Sequence, residues 1–203
     1  ERADTLGKAL YGDDFYMSGE SPVARDMAKG FTRDNAVVLA ITIGAVLLIL
    51  FVTFRNALLP VLLTFVIQGG IWLNFAIPAM TGSPMIFIGY LMVSAIQMGA
   101  TIDYAIVLTN RYRQLRRVHG GGIDTMATAV DAVFPTILTS GGILTLTGVT
   151  MSIVTKEPIV ASLGQLLGLG AFISVLMVLF VLPPLLVVTD KATEKAQILM
   201  HNA

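Results

Sequence analysis

Cysteine is absent from the chain, so neither a disulfide nor a thiolate metal site can form. Histidine is almost absent: His119 and His201 stand alone in polar segments, without the spacing of metal ligands. Charged residues make up only 13% and sum to a formal charge of zero, so no global field draws the chain to nucleic acid. Gly-x-Ser-x-Gly, His-Glu-x-x-His and a phosphate-binding glycine loop are also missing, and nothing suggests an enzyme, a metal site or a cofactor. The sequence opens at Glu1 with no initiator methionine, basic n-region or signal-like apolar stretch, and reads as an internal piece of a longer polypeptide.

What the chain has in quantity is hydrocarbon. Hydrophobic residues are 55% of the total and the mean hydropathy is +0.80, which places it in a bilayer. Five stretches approach the roughly 20 residues needed to cross a core about 30 Å thick. They run over 36–54, 57–80, 84–110, 132–155 and 158–188. Arg55-Asn56, Thr81-Gly82-Ser83-Pro84, the basic 111–122 loop and Lys156-Glu157-Pro158 separate them. Ile123 to Val133 reads as a short interfacial helix leading into the fourth span. Pro183-Pro184 is expected to end or kink the fifth.

Loop charge orients the set. Arg55, Arg111, Arg113, Arg116, Arg117, Lys191 and Lys195 fall on one side of an odd-numbered bundle, whereas the opposite short loops hold Lys156 offset by Glu157. Positive-inside bias puts the arginine side in the cytoplasm, with the residue 1 end extracytoplasmic and the residue 203 end cytoplasmic. Residues 22–188 then form the transmembrane bundle and 189–203 a cytoplasmic tail. Residues 1–21 read as the last edge of an external domain, with a short strand at Phe15-Tyr16-Met17. Ser21 is the expected N-cap and Pro22 the first residue of a helix reaching Phe54.

Asp103 is the only charged residue in the five spans. A carboxylate at the bilayer centre costs roughly 2.5–3.5 kcal/mol on insertion scales, and such groups mark ion paths and proton relays. Gly99 and Asp103 are four residues apart and share a helix face, and Gln97, Thr101 and Tyr104 form a second polar stripe taken here as adjacent to it. Together they read as one side facing a protein interior, with Asp103 tucked between helices. Counting the same depth into the fourth span reaches Thr139, Ser140 and Gly141, so Thr139 and Ser140 are candidate neighbours. That span is rich in hydroxyls, which also back-bond to their own helix. Gly164-x-x-x-Gly168 and Gly69-Gly70 would let helices approach closely.

Gly99-Ala-Thr-Ile-Asp103-Tyr104, followed by Arg111-Tyr112-Arg113, resembles the MMPL branch of the RND (resistance-nodulation-division) transporter superfamily. The likeness extends to Pro135–Gly142 and to the closing Leu182–Leu186. It implies an all-α membrane protein: a five-helix transmembrane bundle of one repeat, the second by its short tail, preceded by the edge of an external porter domain. By the same resemblance Asp103 and Tyr104 are a proton-relay pair, with Gly99, Thr101, Gln97, Thr139 and Ser140 beside them. Proton flow would drive export of lipids or other hydrophobic molecules across the cell (inner) membrane. The implied partners are membrane lipids, a hydrophobic substrate and the other repeat of the transporter, or a second copy of the chain. Two other readings stand: a lipid-binding regulatory module like the sterol-sensing domains, and a small channel subunit. Sodium coupling is also open.

Overall fold

The computed structural model describes the backbone of residues 20–81 and 87–190, and the side chains of 36–81 and 89–190. The expected strand at Phe15–Met17, the Ser21 cap and the 191–203 part of the tail lie outside these described side chains. The elements are α1 (Glu20–Phe54), α2 (Leu58–Thr81), α3 (Phe87–His119), α4 (Ile123–Val154) and α5 (Pro158–Leu176). A π-helical turn (Met177–Val181) and α6 (Leu182–Val188) complete the fifth span. No strand occurs among the described residues. Five helical segments are long and apolar enough to cross a membrane, and the chain is a multi-pass membrane protein. It divides into two compact units, Glu1–Ile41 and Thr42–Ala203, and the second holds everything below.

The helix ends follow local chemistry. Arg55 takes a left-handed conformation (φ 48°) that closes α1 while its N–H donates to the Phe51 carbonyl at 2.8 Å. Asn56 is buried, and its Oδ1 accepts the Leu58 N–H at 3.0 Å, which starts α2. Between α3 and α4 the chain turns through Gly120 (φ 82°) and Gly122 (φ 142°), conformations that side chains disfavour. Pro158 supplies the first turn of α5, where its missing N–H costs nothing.

Three expected boundaries are revised. Helix α3 continues to His119, so most of the 111–122 loop is helical. Helix α4 is one helix of 32 residues from Ile123, so the interfacial segment and the fourth span are continuous. Pro135 does not break it, because neighbouring groups can re-satisfy the freed backbone. Nor does Pro183-Pro184 end the fifth span. These prolines cannot donate to the Leu179 and Phe180 carbonyls, and the preceding turn widens so that the Leu182 N–H reaches the Met177 carbonyl instead.

The fifth span sits at the centre, packed against α2, α3 and α4. Its contact with α4 runs backbone to backbone. A Cβ added at Gly148 would lie 2.5 Å from Gly168 Cα and 2.7 Å from the Gly164 carbonyl oxygen. Gly69 and Gly70 instead receive the Met177 side chain, whose Cε and Cγ would lie 3.3 and 3.5 Å from added Cβ atoms. Leu63, Ile67 and Ile71 of α2, Leu108 of α3, Ile137 of α4, and Val178 and Leu182 of the fifth span fill one core. At the arginine end, Arg113 lies over the buried Phe54 ring at 5.5 Å. There Asp190 takes an ion pair from Arg116 at 2.9 Å and a hydrogen bond from the Tyr112 hydroxyl at 3.0 Å, fixing α6 to α3.

Gly148→Val should separate α4 from α5 and destabilise the protein by about 1–3 kcal/mol or more. Gly142→Ala, where an added Cβ meets nothing within 4 Å, should leave thermal unfolding in detergent unchanged. Equal unfolding temperatures for the two variants would contradict the backbone contact.

Candidate functional site

The polar residues of α3 do not form one side. At about 100° per residue, Gln97 and Gly99 point some 200° apart, and so do Thr101 and Asp103. Gln97, Thr101 and Tyr104 face inward and are 2%, 0% and 7% exposed. Gly99 and Asp103 face outward and are exposed, and an added Cβ at Gly99 meets nothing within 4 Å. The expectation that Asp103 is tucked between helices is therefore corrected: within this chain its face is uncovered. The aspartate lies on the surface of the bundle and the tyrosine beside it lies in the bundle.

Tyr104 joins the two sides. Its phenol oxygen is 3.4 Å from Ser140 Oγ on α4, a long hydrogen bond. Gly141 stands beside this contact: an added Cβ there would collide with Val175 of the fifth span and only touch the Tyr104 hydroxyl, at 3.6 Å. Depth counting thus found the right level of α4, but the partner at that level is Tyr104. Thr139 has no such contact; its hydroxyl donates to the Pro135 carbonyl at 2.7 Å within its own helix. Thr145 and Thr147 back-bond in the same way. Thr136, Ser140, Ile143 and Thr147 share one exposed face of α4.

Inside the bundle lies a polar cluster that the sequence did not disclose in full. Asn74 of α2 donates through Nδ2 to Gln97 Oε1 at 2.8 Å and to the Leu166 carbonyl of α5 at 3.1 Å. One turn along α3, the Thr101 hydroxyl lies 2.6 Å from both the Gln97 carbonyl and the Ser174 hydroxyl of α5. Gly170 makes room, because an added Cβ would sit 2.6 Å from Asn74 Nδ2 and 2.8 Å from Gln97 Oε1. Asn74 and Ser174, both fully buried, were missed. An amide in a largely apolar span, less than two turns beyond Gln68 and at a depth close to that of Gln97, was the available signal for Asn74. Among the described residues no group of His, Cys, Asp or Glu could hold a metal ion.

Five spans packed around a buried hydroxyl and amide network are those of a multi-pass membrane protein. The family comparison agrees with the class. The model of the MMPL family matches residues 2–198, and the chain belongs to that family. It is 25% identical over 193 residues to the membrane protein ActII-3 of Streptomyces coelicolor, covering 92% of this chain and 27% of that protein. It is 26% identical over 186 residues to the membrane protein MJ1562 of Methanocaldococcus jannaschii, covering 89% of this chain and 46% of that protein. The chain therefore spans from about a quarter to just under half of these relatives.

Gly170→Ala should force Asn74 and Gln97 apart and lower stability by about 1–3 kcal/mol. Tyr104→Phe, which loses only a long hydrogen bond, should change it by no more than about 1 kcal/mol. Chemical or thermal unfolding of the purified variants checks both, and the reverse order would contradict the packing described.

Proposed function

We propose that this chain is the membrane half of a proton-driven exporter of lipids or other hydrophobic molecules, and that Asp103 and Tyr104 carry its proton relay. The supporting observation is the exposed position of Asp103 on an otherwise apolar bundle, on the same face of α3 as the exposed Gly99. A carboxylate there is stable in a bilayer only if further protein covers it. The matched relatives are two to four times as long as the aligned region, long enough to carry a second set of helices. In this reading the other repeat, or a second copy of the chain, closes over the Gly99–Asp103 face, and this chain supplies the second repeat.

The mechanism follows from cover. A carboxyl group closed over by a second set of helices can take a proton from one side and release it to the other as the cover shifts. The Tyr104 hydroxyl, held by Ser140, can donate to the carboxylate and withdraw when the acid is protonated. A proton crossing the field gains about 2.3 kcal/mol per 100 mV, enough to bias a two-state transporter. Arg55 and the 111–117 arginines support a cytoplasmic position for that end.

Asp103→Asn in the full-length protein should reduce proton-coupled export by about a hundredfold or more while leaving expression and lipid binding intact. Asp131→Asn, at an exposed residue toward the arginine end of α4, should export normally. Undiminished export by Asp103→Asn with lipid binding retained would favour the regulatory, sterol-sensing-like reading instead. Transport with the proton and sodium gradients clamped separately distinguishes the coupling ion.

A further inference from the structure

The Asn74–Gln97 pair leaves one hydrogen-bonding atom unused on each amide: Asn74 Oδ1 and Gln97 Nε2 are buried without a partner. Both residues are essentially inaccessible, at 0% and 2% exposure. The chemical identity of these atoms is fixed by their neighbours. The Leu166 carbonyl can only accept, so the Asn74 atom facing it is the nitrogen. That nitrogen can only donate, so the Gln97 atom facing it is the oxygen. One orphan is therefore an acceptor and the other a donor. A bare cation would satisfy the first and repel the second. Water satisfies both, since it donates and accepts.

A buried amide atom left unpaired loses its bonds to water and gains none in return, so two of them in one pair are a strong pull on a small polar ligand. Gly70, on the α2 side of Gln97 Nε2, withholds a side chain from that spot; an added Cβ would lie 3.9 Å from the nitrogen. The other buried orphan atoms among the described residues, Thr64 Oγ1, Gln68 Oε1 and Thr109 Oγ1, also lie on α2 and α3. Unmet polarity is thus confined to one pair of helices.

We propose that the Asn74–Gln97 pair seats ordered water inside the bundle, and that this water together with the Thr101 and Ser174 hydroxyls carries protons to the buried side of Tyr104. Thr101 has one proton and two oxygen neighbours at 2.6 Å, so it donates to one of them and accepts from the Ser174 hydroxyl when it serves the Gln97 carbonyl. This hydroxyl pair can switch direction. Tyr104 follows three residues on, about 4.5 Å along the axis. Each O–H in the line accepts a proton on a lone pair and passes its own onward, so every group keeps its proton count, and each hydroxyl turns back to its first direction before the next passage. Asn74 lies seven residues from the Thr81 end of α2, about 10 Å, and that is the end from which the water enters. The supply role rests on the relay proposed above; the hydration itself does not.

The test uses the full-length transporter in lipid nanodiscs and proteoliposomes. A cryo-EM map that resolves ordered water should show density within hydrogen-bonding distance of Asn74 Oδ1 and Gln97 Nε2, and the paired substitution Asn74→Leu with Gln97→Leu should abolish it. Proton-coupled transport should fall by about tenfold in that variant and in Ser174→Ala, whose small change keeps the measurement decisive if the paired variant does not fold. A dry pair in the parent map overturns the inference. So does parental transport in both variants while Asp103→Asn abolishes it, an outcome that leaves the relay standing without this supply. Normal transport by Asp103→Asn sinks the relay and the supply role together, whatever the map shows.

Discussion

An acidic side chain on the outer wall of an apolar helix bundle is the constraint on which the rest of this protein turns. The five spans place large side chains such as Phe65, Trp72 and Phe172 toward the surroundings, as lipid contact requires. Asp103 shares that outward orientation and cannot share that environment. In the proposed reading further protein closes over it and leaves the group free to exchange protons. The bundle is then one side of an interface, with the Gly99–Asp103 face the part that meets a partner.

Small residues set the geometry around that face. Gly148, Gly164 and Gly168 bring the backbones of α4 and the fifth span into contact, and Gly141 leaves room for Val175 of that span beside the contact of Tyr104 with Ser140. Tyr104 bridges the polar interior and the exposed α4 face. Gly170 does the corresponding work inside, admitting Asn74 and Gln97 between α2 and α5. The π-helical turn at Met177 keeps the fifth span continuous through two prolines and seats Met177 against Gly69 and Gly70. In each case a missing Cβ permits a close contact or a backbone irregularity that a larger residue would exclude.

Much of this was legible in the sequence, and the failures have physical reasons. Composition and length located all five spans, since hydropathy reports burial in lipid directly. Gln97, Thr101 and Asp103 were recognisable as polar exceptions, and depth counting placed Ser140 at the level of the Asp-Tyr pair. The direction that Gly99 and Asp103 face was misread, because stripes offset by some 200° were taken as adjacent. Asn74 and Ser174 escaped notice because their role depends on which helices touch, and periodicity does not encode that. Helix boundaries near Arg111 and Ile123 shifted because helices extend past the hydrocarbon, where composition no longer marks their ends.

Collision accessibility of a spin label at Val107, one turn beyond Asp103 on the same exposed face, is the most direct test that this face is covered. The chain has no cysteine of its own, so Val107→Cys and Trp72→Cys can be labelled cleanly within it. In the full-length protein in a bilayer, the label at Val107 should be shielded from dissolved oxygen while that at Trp72 collides freely. Equal collision rates at the two positions would mean that the Asp103 face lies open to lipid, which contradicts the account.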